Sequence, residues 1–175
     1  MRTLDRIIPI IVILLVGLLG YLLYNNKYNQ VDYNIELTKN NLDMFFELSK
    51  NDIEKEYGNY DYEYTYSDKI GVTYCYKSIE RCFKYDNKNK VDGIILHGGN
   101  KKNKIDKISA NDKLEKISQK YKLEVVDKIE ADCISKHINH KIKDYDITYS
   151  TKIYCDDTDI TNIDYILIIE NVGNN

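Results

Sequence analysis

Hydrophobic and polar positions change their rhythm three times along this chain. From Ile7 to Tyr24 (IIPIIVILLVGLLGYLLY) no charged side chain occurs over 18 positions. A helix rising about 1.5 Å per residue would be roughly 27 Å long there, enough to cross a hydrocarbon core. Leu42, Phe45, Phe46, Ile53 and Tyr57 then recur at helical spacing, which predicts an amphipathic helix over 35–57. Next, Tyr60, Tyr62, Tyr64 and Tyr66 alternate with Asp61, Glu63 and Thr65, the period-two pattern of a strand. Residues 70–77, 81–86 and 92–97 extend it into a meander.

The second half repeats the theme. Leu114, Ile117 and Tyr121 predict a helix, with Ser109 and Asp112 as N-cap and first-turn acid. Strands are expected near 123–130, 145–155 and 163–170. Residues 131–143 fit either state, because Ile134, Ile138 and Ile142 share a helix face and Cys133 could equally sit in a strand. Thr65-Tyr66-Ser67-Asp68-Lys69-Ile70 recurs with one difference as Thr148-Tyr149-Ser150-Thr151-Lys152-Ile153. Val91–Leu96 likewise resembles Ile163–Ile168. The expected fold class is α+β: an N-terminal transmembrane helix, then two related units of helix plus antiparallel sheet. The expected boundaries are a cytoplasmic tail 1–6, a signal anchor 7–24 and a polar joint 25–34. A first repeat over 35–99, a linker over 100–108 and a second repeat over 109–172 follow.

Charge sets the orientation. Arg2 and Arg6 precede the apolar stretch and only Lys27 follows it closely, so the positive-inside tendency puts the short tail in the cytoplasm. The remainder is expected outside, with the bilayer as partner through residues 7–24. The stretch exceeds a usual signal-peptide core and no A-x-A-like cleavage site follows, which favours an uncleaved anchor. The net charge of −3 gives no basic field for nucleic acid. Ile (25), Lys (22), Asn (18) and Tyr (17) dominate the chain, the imprint of an AT-rich coding sequence, so lysine runs and tyrosine rows carry less information than usual.

Cys75, Cys82, Cys133 and Cys155 all follow the apolar stretch, and an even set on an oxidising side reads as two disulfides. A hairpin centred on Ser78-Ile79 sets Cys75 directly opposite Cys82 and Tyr74 opposite Phe83, leaving Cys133 to Cys155 by elimination. The rival reading is a metal site at Cys133, His137 and His140, whose C-x3-H-x2-H spacing is not a usual zinc signature. Asp156-Asp157-Thr158-Asp159 lacks the spacing and terminal Glu of an EF-hand. No G-x-S-x-G, H-E-x-x-H, P-loop or G-x-G-x-x-G motif occurs. His97 precedes Gly98-Gly99, where a strand-end turn accounts for it.

These features lead to a non-catalytic binding or structural component of the membrane or envelope, with no cofactor. The expected partner is another membrane or envelope protein or polymer. The alternative is a small extracytoplasmic metal-dependent enzyme using the Cys/His set. Tyr60, Tyr62, Tyr64 and Tyr66 form the candidate binding surface, in competition with a role as core against helix 35–57.

Overall fold

The computed structural model describes residues 15–18, 33–66, 70–130, 133–153, 155 and 162–171. Leu15–Leu18 are helical and exposed; the rest of 7–24 lies outside the described residues. Among those described, no helix is long and apolar enough to cross a membrane. The tail 1–6, nearly all of the joint 25–34 and the Asp156–Asp159 cluster also lie outside them.

From Asn34 onward the chain forms one compact unit. Two short helices come first, α1 (Leu42–Phe46) and α2 (Lys50–Tyr57). The single helix expected over 35–57 breaks between them because Ser49 takes extended backbone and caps α2. Its hydroxyl accepts from the Asp52 N–H, while Asp52 accepts from the Ser49 N–H, a reciprocal capping box. Gly58, at φ 80°, ends α2 in a conformation that glycine adopts without steric cost.

Four strands follow as a meander: β1 (Tyr62–Thr65), β2 (Val72–Tyr76), β3 (Arg81–Tyr85) and β4 (Val91–His97). The short ladder β5 (Lys104–Ile105) and β6 (Ile108–Ser109) leads to helix α3 (Leu114–Tyr121). Ser109 does not cap α3, which starts after Lys113; instead the Ser109 N–H donates to Asp112 Oδ2 at 2.8 Å. A second meander ends the chain: β7 (Val126–Glu130), β8 (Cys133–Ile142), β9 (Tyr145–Thr151) and β10 (Ile163–Glu170).

The expectation of two separate helix-plus-sheet units is corrected here. All eight long strands form one antiparallel sheet in the order β1-β2-β3-β4-β10-β9-β8-β7. Its seam is the pairing of β4 with β10, from His97 opposite Tyr165 to Gly93 opposite Ile169. Strand dominates and the helices are short. The internal similarity also divides. Val91–Leu96 and Ile163–Ile168 occupy the two seam strands, but Thr65 ends β1 and Tyr66 follows it, whereas Thr148–Thr151 lie in β9, next to the seam. The second pair of segments therefore does not hold equivalent places in the sheet.

Residues directly opposite in an antiparallel ladder share a face. One face of the sheet carries Ile94, Leu96, Ile166, Ile168, Ile138, Ile147 and Tyr149, all essentially inaccessible. This face carries the helices. Leu42, Phe45, Phe46, Ile53, Leu114 and Ile117 are buried as well, each worth about 1.5–3 kcal/mol for leaving water. Arg81 lies in this layer, fully buried, with Phe45 beneath its guanidinium and Asn103 as a hydrogen-bond partner. The polar stretch 100–107 is thus drawn into the fold. Asn103, Ile105 and Ile108 are all buried in it.

Candidate functional site: the uncovered face of the sheet

Among the described residues no helix covers the opposite face, and pairing fixes what it displays. One transverse row runs from Tyr62 through Cys75, Cys82, Ile95 and Leu167 to Thr148. The row two residues further along reads His97, Tyr165, Ser150 and His137, on β4, β10, β9 and β8. Cys75, Cys82, Ile95 and Leu167 form a small apolar floor, with Tyr66, Ile70, Tyr165 and Ile169 packed against it.

The sheet is rolled toward this face. Laid flat, β1 and β7 would lie about 34 Å apart at the usual strand spacing. Instead Tyr62 and Tyr64 of β1 and Lys128 of β7 line a single trough of about 430 Å³. One wall is aromatic: Tyr62, Tyr64, Tyr66 and Tyr165. The other carries Lys128, Ser135, His137, Thr151 and Lys152, with His97, Ser150 and Asp164 between them. Tyr62 is 41% exposed and Tyr64 52% exposed, so the rim of the aromatic wall meets solvent.

Tyr66 organises the aromatic wall. Its ring packs edge-on against Tyr64 at 4.6 Å and tilted against Tyr165 at 5.2 Å. Its hydroxyl hydrogen-bonds His97 Nε2, and the Cys82 sulfur lies 3.6 Å from the same nitrogen. Burial pushes the Tyr66 phenol well above its ordinary value and holds the His97 imidazole below 6.5. The phenol therefore keeps its proton and the imidazole stays neutral, so a single hydrogen joins Tyr66 Oη and His97 Nε2. Across the trough, Ser135 Oγ lies 2.7 Å from His137 Nε2. Ser135 is 5% exposed, so its hydroxyl serves the imidazole before solvent. The trough thus offers ring faces beside neutral donors and acceptors, an arrangement suited to recognising a hydroxyl-rich molecule.

A second cavity of about 430 Å³ adjoins the first and shares Tyr62, His97 and Asp164 with it. Glu80 and Gly99 meet there. A Cβ on Gly99 would fall 1.8 Å from Glu80 Oε2, so glycine at that position leaves room for the carboxylate.

The tyrosine row expected from the sequence is split. Tyr62, Tyr64 and Tyr66 stand on the trough side, but the chain turns at Asp61, whose N–H donates to the Cys75 carbonyl at 2.8 Å. Tyr60 consequently packs against Tyr74 at 4.9 Å, on the helix side, where Lys50 lies 4.2 Å from the Tyr74 ring. Sequence reasoning missed Tyr165, Ser135 and Ser150, and it read His97 as a turn residue. Their shared face follows from strand register, a signal that needs the β4–β10 seam.

The cysteines join as Cys75–Cys82 and Cys133–Cys155. With Cys133 in a disulfide, the alternative ligand set does not assemble. His137 faces the trough, whereas His140, three residues on, points to the helix side and packs on Tyr121 at 4.1 Å between ring centres. Among the described residues, no group of three or more His, Cys, Asp or Glu is placed to hold a metal ion.

No family model matches the sequence, and no curated protein matches it. The fold is similar to that of solved structures. An extracellular protein containing a SCP domain from Bacillus anthracis matches with 9% identity and a TM-score of 0.51, over 81% of this chain and 48% of that one. The chain thus spans about half the length of that protein. A DUF4309 family protein (YjgB) from Bacillus subtilis matches with 12% identity and a TM-score of 0.45, over 70% of this chain and 78% of that one. At 9% identity the likeness to the B. anthracis protein is one of fold alone.

Proposed function

We propose that this chain is a non-catalytic binding module of the cell envelope, held at the outer surface of a membrane by its apolar stretch 7–24, and that the rolled face of its sheet binds a segment of an envelope polymer. The observation that carries the reading is the trough itself. One face of the sheet is sealed by helices, while the other holds tyrosine rings, two imidazoles and two serine hydroxyls in register around an open concavity. Aromatic rings with polar edges give contact area at little entropic cost, which suits reversible binding to a hydrated chain. The outward orientation draws support from the two disulfides, which persist in oxidising surroundings. It also accords with the extracellular description of the B. anthracis protein.

The test uses the full chain in lipid nanodiscs. It contains no tryptophan and 17 tyrosines, so its intrinsic fluorescence is that of tyrosine, and Tyr62, Tyr64, Tyr66 and Tyr165 of the trough contribute to it. Soluble oligosaccharides from cell walls and capsules should give saturable quenching that Tyr64→Ala abolishes. Saturable binding that Tyr64→Ala leaves intact, or no binding by any of them, overturns the reading. Protease shaving of intact cells tests the orientation, since an outward domain is cut without lysis.

A further inference from the structure

Besides the trough, the sheet leaves an apolar edge open to solvent at β7. We infer that this edge pairs with the same edge of a second copy of the chain, antiparallel and centred on Val126, so that one sheet runs through both copies.

Three observations lead to it. First, β7 ends the sheet, and among the described residues no strand pairs with its outer side. An edge strand turns alternate N–H and C=O groups outward, and another extended strand satisfies them in kind. Proline and bulges, which commonly blunt such edges, are missing from β7. Its register with β8 runs unbroken from Val126 opposite His137 to Glu130 opposite Cys133.

Second, exposed apolar side chains gather here. Val126 is 54% exposed and Ile129 70% exposed, and Val125, Ile134 and Ile153 are exposed beside them. Ile129 stands directly opposite Ile134, so the two form one strip on a face of the sheet, while Val126 lies on the other face. Single exposed apolar residues are ordinary, but five at one end of a sheet mark a surface that a partner covers.

Third, the charges on the strand select that partner. Identical antiparallel strands related by a two-fold axis set one residue opposite itself, and every other pair follows from it. Centring on Asp127 or Lys128 would put like charges face to face, and centring on Val125 would put Lys128 opposite Lys122. Centring on Ile129 would run into the turn between Glu130 and Cys133. Centring on Val126 meets none of these obstacles. Val126 then faces its own copy, Asp127 faces Val125, Lys128 faces Glu124, and exposed Ile129 faces Leu123. A strand whose charges bar its other registers and admit this one complements itself, which points to a second copy rather than a foreign strand.

Residues opposite each other share a face, so the paired copies open both troughs on the same side of the joint sheet, where one polymer chain can engage both. That consequence rests on the reading of the trough; the pairing itself does not.

The experiment uses membranes carrying the full chain with one added cysteine. The four native cysteines are held in disulfides, so the new thiol is the one that reports. In the inferred register Val126 sits against its copy, whereas Lys128 lies about 13 Å and Ile129 about 20 Å from theirs. Val126→Cys should therefore form a covalent homodimer at least about tenfold faster than Lys128→Cys or Ile129→Cys, although all three positions are exposed. Separately, the chain without added cysteine should sediment as a dimer in detergent, and Val126→Lys should make it a monomer with an unchanged unfolding temperature. Equal cross-linking at the three positions, faster cross-linking at Ile129→Cys, or a dimer that survives Val126→Lys overturns the inference. So does a Val126→Cys adduct whose mass is that of a different protein, which would make β7 the seat of a foreign strand. Each of these outcomes is read without ligand, so none of them bears on the trough.

Discussion

Arg81 donates from Nε to Oδ1 of Asn103 at 2.6 Å, and both side chains are fully buried. A second guanidinium nitrogen donates to the Ile35 carbonyl at 2.6 Å and to that of Lys102 at 3.2 Å. The Asn103 amide in turn donates to the carbonyls of Ile79, Glu80 and His97. One buried pair therefore ties the β2–β3 turn, the end of β4 and the segment entering the domain.

Asn103→Ala is expected to destabilise the protein by about 3 kcal/mol, because it removes the acceptor of the buried Arg81 Nε and one donor from each of three carbonyls. Asn103→Asp should lie between wild type and alanine. It keeps an acceptor for Arg81 but loses the donors. Urea unfolding under oxidising conditions gives the ranking, and equal losses for the two variants would contradict this account.

The two disulfides should yield to reductant in a fixed order. Cys75 and Cys82 are each 1% exposed beneath the aromatic wall, whereas Cys155 is exposed. Thiol exchange needs access, so Cys133–Cys155 should open first as dithiothreitol is raised. Its loss should cost about 3 kcal/mol, from the 22-residue separation it spans. Alkylation and peptide mapping at graded reductant would read the order directly.

Tyr66 and Tyr64 should part in their effects. Tyr66→Phe removes the hydroxyl bonded to His97 Nε2 and leaves that largely buried nitrogen without it, a cost of about 1–3 kcal/mol. Tyr64→Ala, at the solvent rim, should cost less than about 1 kcal/mol while abolishing ligand binding. Thermal unfolding and fluorescence titration of the same two variants separate the roles.

Acid should weaken the fold before its carboxylates titrate. Burial holds both His97 and His140 below the ordinary 6.5. The unfolded chain therefore binds protons at these sites at a higher pH than the folded one. Their contribution is complete above about pH 6.5 and is lost as pH falls through the lower folded values. His97→Asn combined with His140→Asn should flatten the stability profile just below pH 6.5. An unchanged slope would place the acid sensitivity elsewhere.

Much of this could be read along the chain, and the failures have physical causes. The Cys75–Cys82 pairing followed from local geometry: a four-residue turn over 77–80 sets Tyr76 opposite Arg81 and Cys75 opposite Cys82. Residues 131–143 resisted because Ile134, Ile138 and Ile142 are spaced by four, which puts them on one face of a helix and equally on one face of a strand. The structure makes them β8. Residues 100–107 read as a solvated linker because their burial depends on Arg81, about twenty residues earlier and invisible to local pattern. The trough was only half legible. Tyr62, Tyr64 and Tyr66 announce themselves by alternation, but His97 joins them only through a phenol 31 residues away and Tyr165 only across the seam.

The place of β10 between β4 and β9 has a bearing on how the protein is made. The strand at the middle of the sheet is the last to be synthesised. Until Ile163–Glu170 emerge, β4 and β9 each present an open edge, and the two halves lack the seam that joins their strands into one sheet. A nascent chain therefore carries the other seven strands of the sheet without a finished core until β10 is available. The insertion of β10 completes that core in one event of high contact order. Ribosome stalling or proteolysis ahead of Ile163 should give an insoluble fragment rather than a smaller folded one.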